Sequence, residues 1–484
     1  MNYLQSKQTD SEKPTISIKE RRHGQPLFLT RALIYAIGAF TSCLVATRGM
    51  AEDWPRFMGP KADGVWREDG IISEFPQETL TKLWETSVAG GYSGPAVSGG
   101  RLFVMDFTPA ASETDSEKKT EGGPGTERVL CVDVKTGKEL WSSEYPTDLS
   151  VSYPGGPRST CFVDGDRVYA QGTMGQLLCL AASDGEVIWE MNVAAKYATK
   201  PPIWGYASHP LVVGELLLVA AGGKGSGIVA LDKSTGEEKW ASITAREIGY
   251  APLVVAELQG KTQVIVWYDV ALAGLDIETG EELWSYAFPK AKPQRPIVSI
   301  VPPHVNGNRI FITNFYHGSA FIEVRESGVE DLWTTEEQTG HRDDINSIMS
   351  TVIAKDGCYF GVAGNGELRC VDEKDGVLKW RSYAALATEG QDTDAAPRQF
   401  NGFASLFITP YQDRFWMFTD QGDLLLTELS TEGYKELGRQ NLLTTTGSTR
   451  GRAYVWCAPA FSNGCIFVRN EETLACFDMR ADSY

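Results

Sequence analysis

From residue 80 onward the chain is built of short runs in which apolar and polar residues alternate, each run bounded by Gly, Asp or Asn, and no stretch keeps a helical period. Residues 167–180 (RVYAQGTMGQLLCL) and 358–371 (CYFGVAGNGELRCV) each read as a hairpin of half-buried strands. After such hairpins comes a second pattern. Residues 132–141 (VDVKTGKELW), 231–240 (LDKSTGEEKW), 275–284 (LDIETGEELW) and 371–380 (VDEKDGVLKW) are copies of one strand–turn–strand unit. Its Thr-Gly or Asp-Gly pair supplies the positive-φ turn position, and its Trp offers a large ring to bury between neighbouring sheets.

Weaker copies end at Trp189 and Trp333, and a degenerate one has Leu437 in the Trp place. Successive anchors at 141, 189, 240, 284, 333, 380 and 437 stand 44 to 57 residues apart. That is the length of a four-stranded propeller blade. An inner strand is expected ahead of each hairpin, as at 92–97 (YSGPAV), 206–213 (YASHPLVV) and 456–461 (WCAPAF). The predicted fold is all-β, an eight-bladed β-propeller. Its blades run near 92–142, 153–190, 204–241, 248–287, 297–334, 346–381, 402–440 and 454–484. The last lacks a Trp strand, and 80–88 (LTKLWETSV), with the orphan Trp84, is expected to complete it and close the ring. Trp84, Trp141, Trp189, Trp240, Trp284, Trp333 and Trp380 are thus the docking positions. Residues 52–79 form an N-terminal extension. The polar insertion 108–127 (TPAASETDSEKKTEGGPGTE) reads as a disordered loop in blade 1.

The D-x-x-TG-x-x-x-W pattern resembles the tryptophan-docking motif of propellers of the pyrroloquinoline quinone (PQQ) type. That family includes quinoprotein alcohol dehydrogenases and the outer-membrane assembly lipoprotein BamB. The opening 53–60 (DWPRFMGP) is similar to that of many exported bacterial PQQ-like repeat proteins. The resemblance implies the fold and an export route; a shared fold does not carry an activity. The quinoprotein enzymes stack PQQ between a Trp and a vicinal disulfide ring and hold Ca²⁺ with acidic and amide groups. No Cys-Cys pair and no C-x-x-C-H occur in this chain, so no PQQ and no other cofactor are expected.

Ahead of the propeller, residues 1–31 are polar and basic, and 32–46 (ALIYAIGAFTSCLVA) form an apolar run too short to span a bilayer. Residues 1–51 therefore read as a signal peptide, with Gly49 and Ala51 suiting the cleavage positions. The alternatives are a retained anchor or lipidation of Cys43, which alone would attach the protein to a membrane. Without the seven basic and three acidic residues of 1–51, the net charge goes from −18 to −22. That balance argues against nucleic-acid binding. Periplasmic or extracellular localisation is expected, with a monomer as the default.

Candidate chemistry is sparse. His209, His304, His317 and His341 are isolated and no metal site is readable. The 222–227 run (GGKGSG) leads into a strand and reads as a hairpin turn, not a phosphate loop. Asp343 and Asp344 read as a solvated loop. Cys358 with Cys370, and Cys465 with Cys476, fall on facing strands of one hairpin, where an exported protein could oxidise them, although directly opposed disulfides are strained. The loops joining one blade's outer strand to the next blade's inner strand emerge together around the channel. Six arginines lie just before inner strands: Arg158, Arg246, Arg295, Arg342, Arg398 and Arg452. With Trp204 and His209 they are the candidate ligand-binding residues at the channel mouth. They favour an anionic ligand or an acidic partner segment. The sequence points to a non-catalytic scaffold that binds an envelope protein or an anionic ligand. The alternative is an oxidoreductase or hydrolase with its active site at the channel mouth.

Overall fold

The computed structural model describes residues 52–110, 122–290, 292–336, 343–387, 403–449 and 452–484. The expected leader, 1–51, lies outside the described residues.

Eight antiparallel four-stranded sheets follow one another along the chain, each a meander from inner to outer strand. Blade 3 shows the plan: Leu211–Val213, Leu216–Ala220, Ile228–Asp232 and Glu238–Ser242. Ring closure is as expected. Lys82–Ser87 pairs with Thr473–Asp478, so the outer strand of blade 8 comes from the N-terminal side. The sheet edge at Thr473–Asp478 is thereby paired and not exposed.

Six of the seven docking Trp side chains hydrogen-bond into the next blade. The indole N–H groups of Trp84, Trp141, Trp189, Trp240, Trp333 and Trp380 donate to carbonyls of Val134, Ala182, Lys233, Ile277, Glu373 and Ser430, at 2.8–3.1 Å. The rings cover the turn glycines. A Cβ on Gly236, which sits at φ 74°, would lie 2.9 Å from the Trp189 ring. The interlock changes between blades 4 and 5. There Trp284 donates to Gln263 Oε1 of its own blade at 2.7 Å, and Tyr286 reaches across to Asp331 at 2.9 Å. The turn glycine of blade 5, Gly328, is left uncovered, with nothing within 4 Å of the place a Cβ would take.

Two expectations are corrected. The inner strands are shorter than 92–97, 206–213 and 456–461: they are Ala96–Ser98, Leu211–Val213 and Ala460–Ser462. Each begins directly after a proline, Pro95, Pro210 or Pro459, which has no N–H for the ladder. The insertion of blade 1 is not a loop throughout. Arg101–Pro109 and Gly123–Asp133 carry the ladder out to Thr108↔Thr126 and Pro109↔Gly125, and only 111–121 fall outside the described residues.

The extension 52–79 belongs to no blade but is bound to several. Trp54 exchanges main-chain hydrogen bonds with Val97 of blade 1, and Pro55 O accepts from Val163 of blade 2. Trp66 N–H donates to Pro410 O of blade 7, and the ring is 1% exposed between Tyr411 and Phe461. The Glu68 carboxylate gathers the N–H groups of Glu52, Asn463 and Gly464. The extension thus lies across the inner strands beyond the points where they leave the channel mouth, and with Trp54, Trp66, Ile71 and Ile72 it joins the core of blades 1, 7 and 8.

Candidate functional site: an aromatic cup on the loop face

Just ahead of the inner strands the chain runs extended down the channel, and alternate residues face its axis. Tyr92 and Gly94, Arg158 and Thr160, Ala207 and His209, Tyr250 and Pro252, Val298 and Ile300, and Trp456 and Ala458 all line one cavity of about 370 Å³. Ile348, Met349, Phe403 and Phe407 complete the wall, so all eight blades contribute. The volume is at the lower end of the roughly 300–1,000 Å³ typical of ligand sites.

The extension supplies part of the floor. Phe57 enters the cavity and stacks on His209, with centroids 4.4 Å apart and planes at 28°. His209 is held from behind, because Thr160 N–H donates to its Nδ1 at 2.8 Å. That bond places the imidazole proton on Nε2. Burial, aided by Arg56, lowers the His209 pKa to about 3, so the ring is neutral at physiological pH.

The walls are aromatic pairs. Trp204 lies 5.1 Å from Tyr250, and Tyr454 and Trp456 stack at 3.6 Å with planes at 9°. The hydroxyls of Tyr92 and Tyr454 are 3.2 Å apart, and burial pushes the Tyr92 phenol up to about 12. Trp456 Nε1 is buried without a hydrogen-bond partner.

Arg158 is the cation of this lining. Its guanidinium sits over the Tyr92 ring, 5.1 Å from the centroid. It donates to the carbonyls of Gly156 at 2.6 Å, Ser152 at 3.0 Å and Tyr153. Three of its five N–H groups are thereby engaged. Among the described residues no carboxylate pairs with it. The nearby Glu127 is taken up by the Tyr145 hydroxyl at 2.5 Å and the Thr173 amide at 3.1 Å, and burial raises its pKa. Among the described residues the lining has no Asp, Glu, Asn or Gln. No cluster of His, Cys, Asp and Glu among them is fit to hold a metal ion.

A second pocket of about 250 Å³ lies on the same face, lined by Lys200, Pro201, Pro202, Ile203, Arg246, Glu247 and Arg295 among others. Ile203 lines both cavities and is 48% exposed. Arg295 pairs with Glu247, whereas Lys200 and Arg246 are exposed and make no ion pair among the described residues.

Of the residues singled out in the sequence, Arg158, Trp204 and His209 converge in the cup, and Arg246 and Arg295 lie in the adjoining pocket. Arg452 does not. It is 9% exposed, paired with Asp420 and bonded to Phe403 O behind the wall, and is structural. Arg342 and Arg398 lie outside the described residues. Asp344 is not solvated; it is 1% exposed and accepts from the Thr335 hydroxyl, whereas Asp343 pairs with Arg381 at the surface. The cysteine pairs are not directly opposed. Cys358 faces Asp372 and Cys370 faces Phe360, while Cys465 faces Asp478 and Cys476 faces Phe467. All four are buried and set diagonally by a two-residue offset, with the two sulfurs of each pair within hydrogen-bond reach. Sequence reasoning found Trp204 but missed the rest of the aromatic wall. Its signal was the period-two pattern ahead of each inner strand, with Tyr92, Tyr250 and Trp456 at one repeated position.

A model of the family described as "Outer membrane protein assembly factor BamB" matches residues 125–382, just over half of the chain. The chain is 24% identical over 323 residues to outer membrane protein assembly factor BamB of Yersinia pestis, covering 65% of each. It is 28% identical over 215 residues to serine/threonine-protein kinase AfsK of Streptomyces griseus, covering 44% of this chain and 21% of the kinase. The chain thus spans just under two thirds of the first relative and about a fifth of the second. The crystal structure of BamB from Moraxella catarrhalis superposes with a TM-score of 0.52 at 13% identity, over 83% of this chain and 98% of that one, a likeness of fold.

Proposed function

Since the chain belongs to the PQQ-like β-propeller family of BamB, we propose that it is an exported, non-catalytic scaffold that binds a protein partner in the cell envelope through the aromatic cup of its loop face. The observation that carries this reading is the cup itself. It is a concave apolar surface reached from the loops, floored in part by the chain's own N-terminal extension, and it holds a guanidinium with unused donors. Buried aromatic anchors with an arginine are what protein interfaces use for most of their binding energy.

The same lining supports binding over chemistry. His209 is the imidazole in it, and its Nδ1 is occupied and its ring neutral. A nucleophile with a base in hydrogen-bond reach is missing among the described lining residues. PQQ does not suit this cup either. It is a tricarboxylate, and one arginine faces it; a Ca²⁺ partner would find no carboxylate or amide side chain in the described lining. Export rests on the basic leader and short apolar run of 1–51.

The reading is tested by affinity capture from envelope extracts with the intact protein and with Trp204→Ala/Trp456→Ala. A defined partner retained by the first and lost from the second, while the variant still unfolds cooperatively as a folded propeller, is expected. Reduction of a dye acceptor by the purified protein with an alcohol or sugar, in the presence of PQQ and Ca²⁺, would refute it.

A further inference from the structure

The two pockets of the loop face differ in chemistry and share a wall. The ridge between them is the run Pro201-Pro202-Ile203-Trp204: the prolines line the second pocket, Ile203 both, and Trp204 the cup. On the cup side the surface is aromatic with Arg158 at its margin. On the other side stand Lys200, Arg246 and Arg295, with Glu247 as the acid of the lining. Glu247 pairs with Arg295 through Oε1, while its buried Oε2 has no hydrogen-bond partner. Arg246 neighbours the buried carboxylate of Asp269, and neither Lys200 nor Arg246 makes an ion pair within 4 Å among the described residues, so three cations stand against two acids. This cationic patch belongs to a chain with a formal net charge of −18. Fixed positive charge left over on so acidic a surface is a recognition feature for an anion.

We infer that the loop face binds an extended acidic polypeptide segment of a partner protein, with an apolar ring-bearing side chain seated in the cup and Asp or Glu residues lying across the ridge on Lys200 and Arg246. The inference rests on the protein-binding reading above and names the chemistry of the partner. Three features argue for a polypeptide and not a free small acid. The pockets are separate but adjoining, so one occupant must branch to fill both. Alternate side chains of an extended strand, which share one face, do so. The ridge top is an exposed isoleucine, which a backbone crossing it would cover. Arg158 keeps unused N–H groups beside the aromatic wall and can take an acid next to the anchor residue. Its other electrostatic neighbours are the phenols of Tyr92, Tyr250 and Tyr454 and the tied-up Glu127.

The test is calorimetric titration of the whole protein with two blocked peptides, acetyl-Phe-Glu-Asp-Glu-amide and acetyl-Phe-Gln-Asn-Gln-amide. The acidic peptide is expected to bind about tenfold more tightly, and its affinity to fall as salt rises. Lys200→Gln/Arg246→Gln should remove that preference and leave the neutral peptide's affinity unchanged. Because those side chains are exposed, the variant folds, and an unchanged melting temperature checks it. Equal affinity for the two peptides, or full preference in the double variant, overturns the inference. So does displacement of the acidic peptide by benzoate at equal concentration, which would make the cup a small-molecule site. If the peptides fail but Trp204→Ala/Trp456→Ala still loses its captured partner, the acidic segment is wrong and the scaffold reading stands. If that variant keeps its partner, the scaffold reading itself is wrong.

Discussion

At the scale of single residues, the tryptophans and the turn glycines form one device. Trp240 is 8% exposed, covers Gly280 and donates to Ile277 of the next blade. Trp240→Ala is expected to cost about 3–5 kcal/mol, the range for truncating a buried aromatic, measured by denaturant unfolding. A loss under about 1 kcal/mol would contradict the docking role. Gly236→Ala combines a positive φ with a clash on the Trp189 ring and should destabilise by more than the roughly 1–2 kcal/mol of the backbone term alone. His209 gives a pH signature. Its folded pKa, about 3, lies below the unfolded value near 6.5, so between those limits the unfolded chain binds the extra proton. Its contribution is complete above pH 6.5 and is lost as pH falls toward 3. His209→Gln should therefore show a shallower loss of stability over that window, and an identical pH profile would place the imidazole in solvent.

At the scale of elements, what the sequence made legible was whatever repeats. The ring and its glycine meet at Gly137, Gly185, Gly236, Gly280 and Gly376, so the D-x-x-TG-x-x-x-W spacing exposed the blades, and Trp84 without a blade of its own exposed the closing strand. The extension 52–79 was legible as a segment but not as a floor. It binds through main-chain groups of Val97, Val163 and Pro410 and through a lone Phe57, none of which makes a period. Arg452 misled because its partner, Asp420, lies 32 residues away and the pairing appears only on folding. The inner strands were overdrawn because the extended run ahead of each, with the proline that ends it, was read as part of the strand. Removing 52–79 while keeping the closing strand should unroof Trp66's neighbours Tyr411 and Phe461 and lower the melting temperature. It should also weaken ligand capture by opening the floor at Phe57. Unchanged melting would mean that the extension is a mere appendage.

At the scale of the molecule, the ring makes the site. No blade holds it; all eight lend residues to one wall, and the terminal segments both close the circle and floor the cup. Deleting 52–88 removes the outer strand of blade 8 and bares Thr473–Asp478, so lower stability and concentration-dependent aggregation are expected by thermal melting and light scattering. The central claim is that partners meet the protein at the loop face around the cup. It is tested most directly by placing a photo-reactive residue at Ile203, on the ridge, and at Leu140, exposed on the outer strand of blade 1, and mapping adducts in the cell envelope. A defined protein adduct from position 203, lost on Trp204→Ala/Trp456→Ala and absent from position 140, is expected; adducts from position 140 with none from 203 would contradict it.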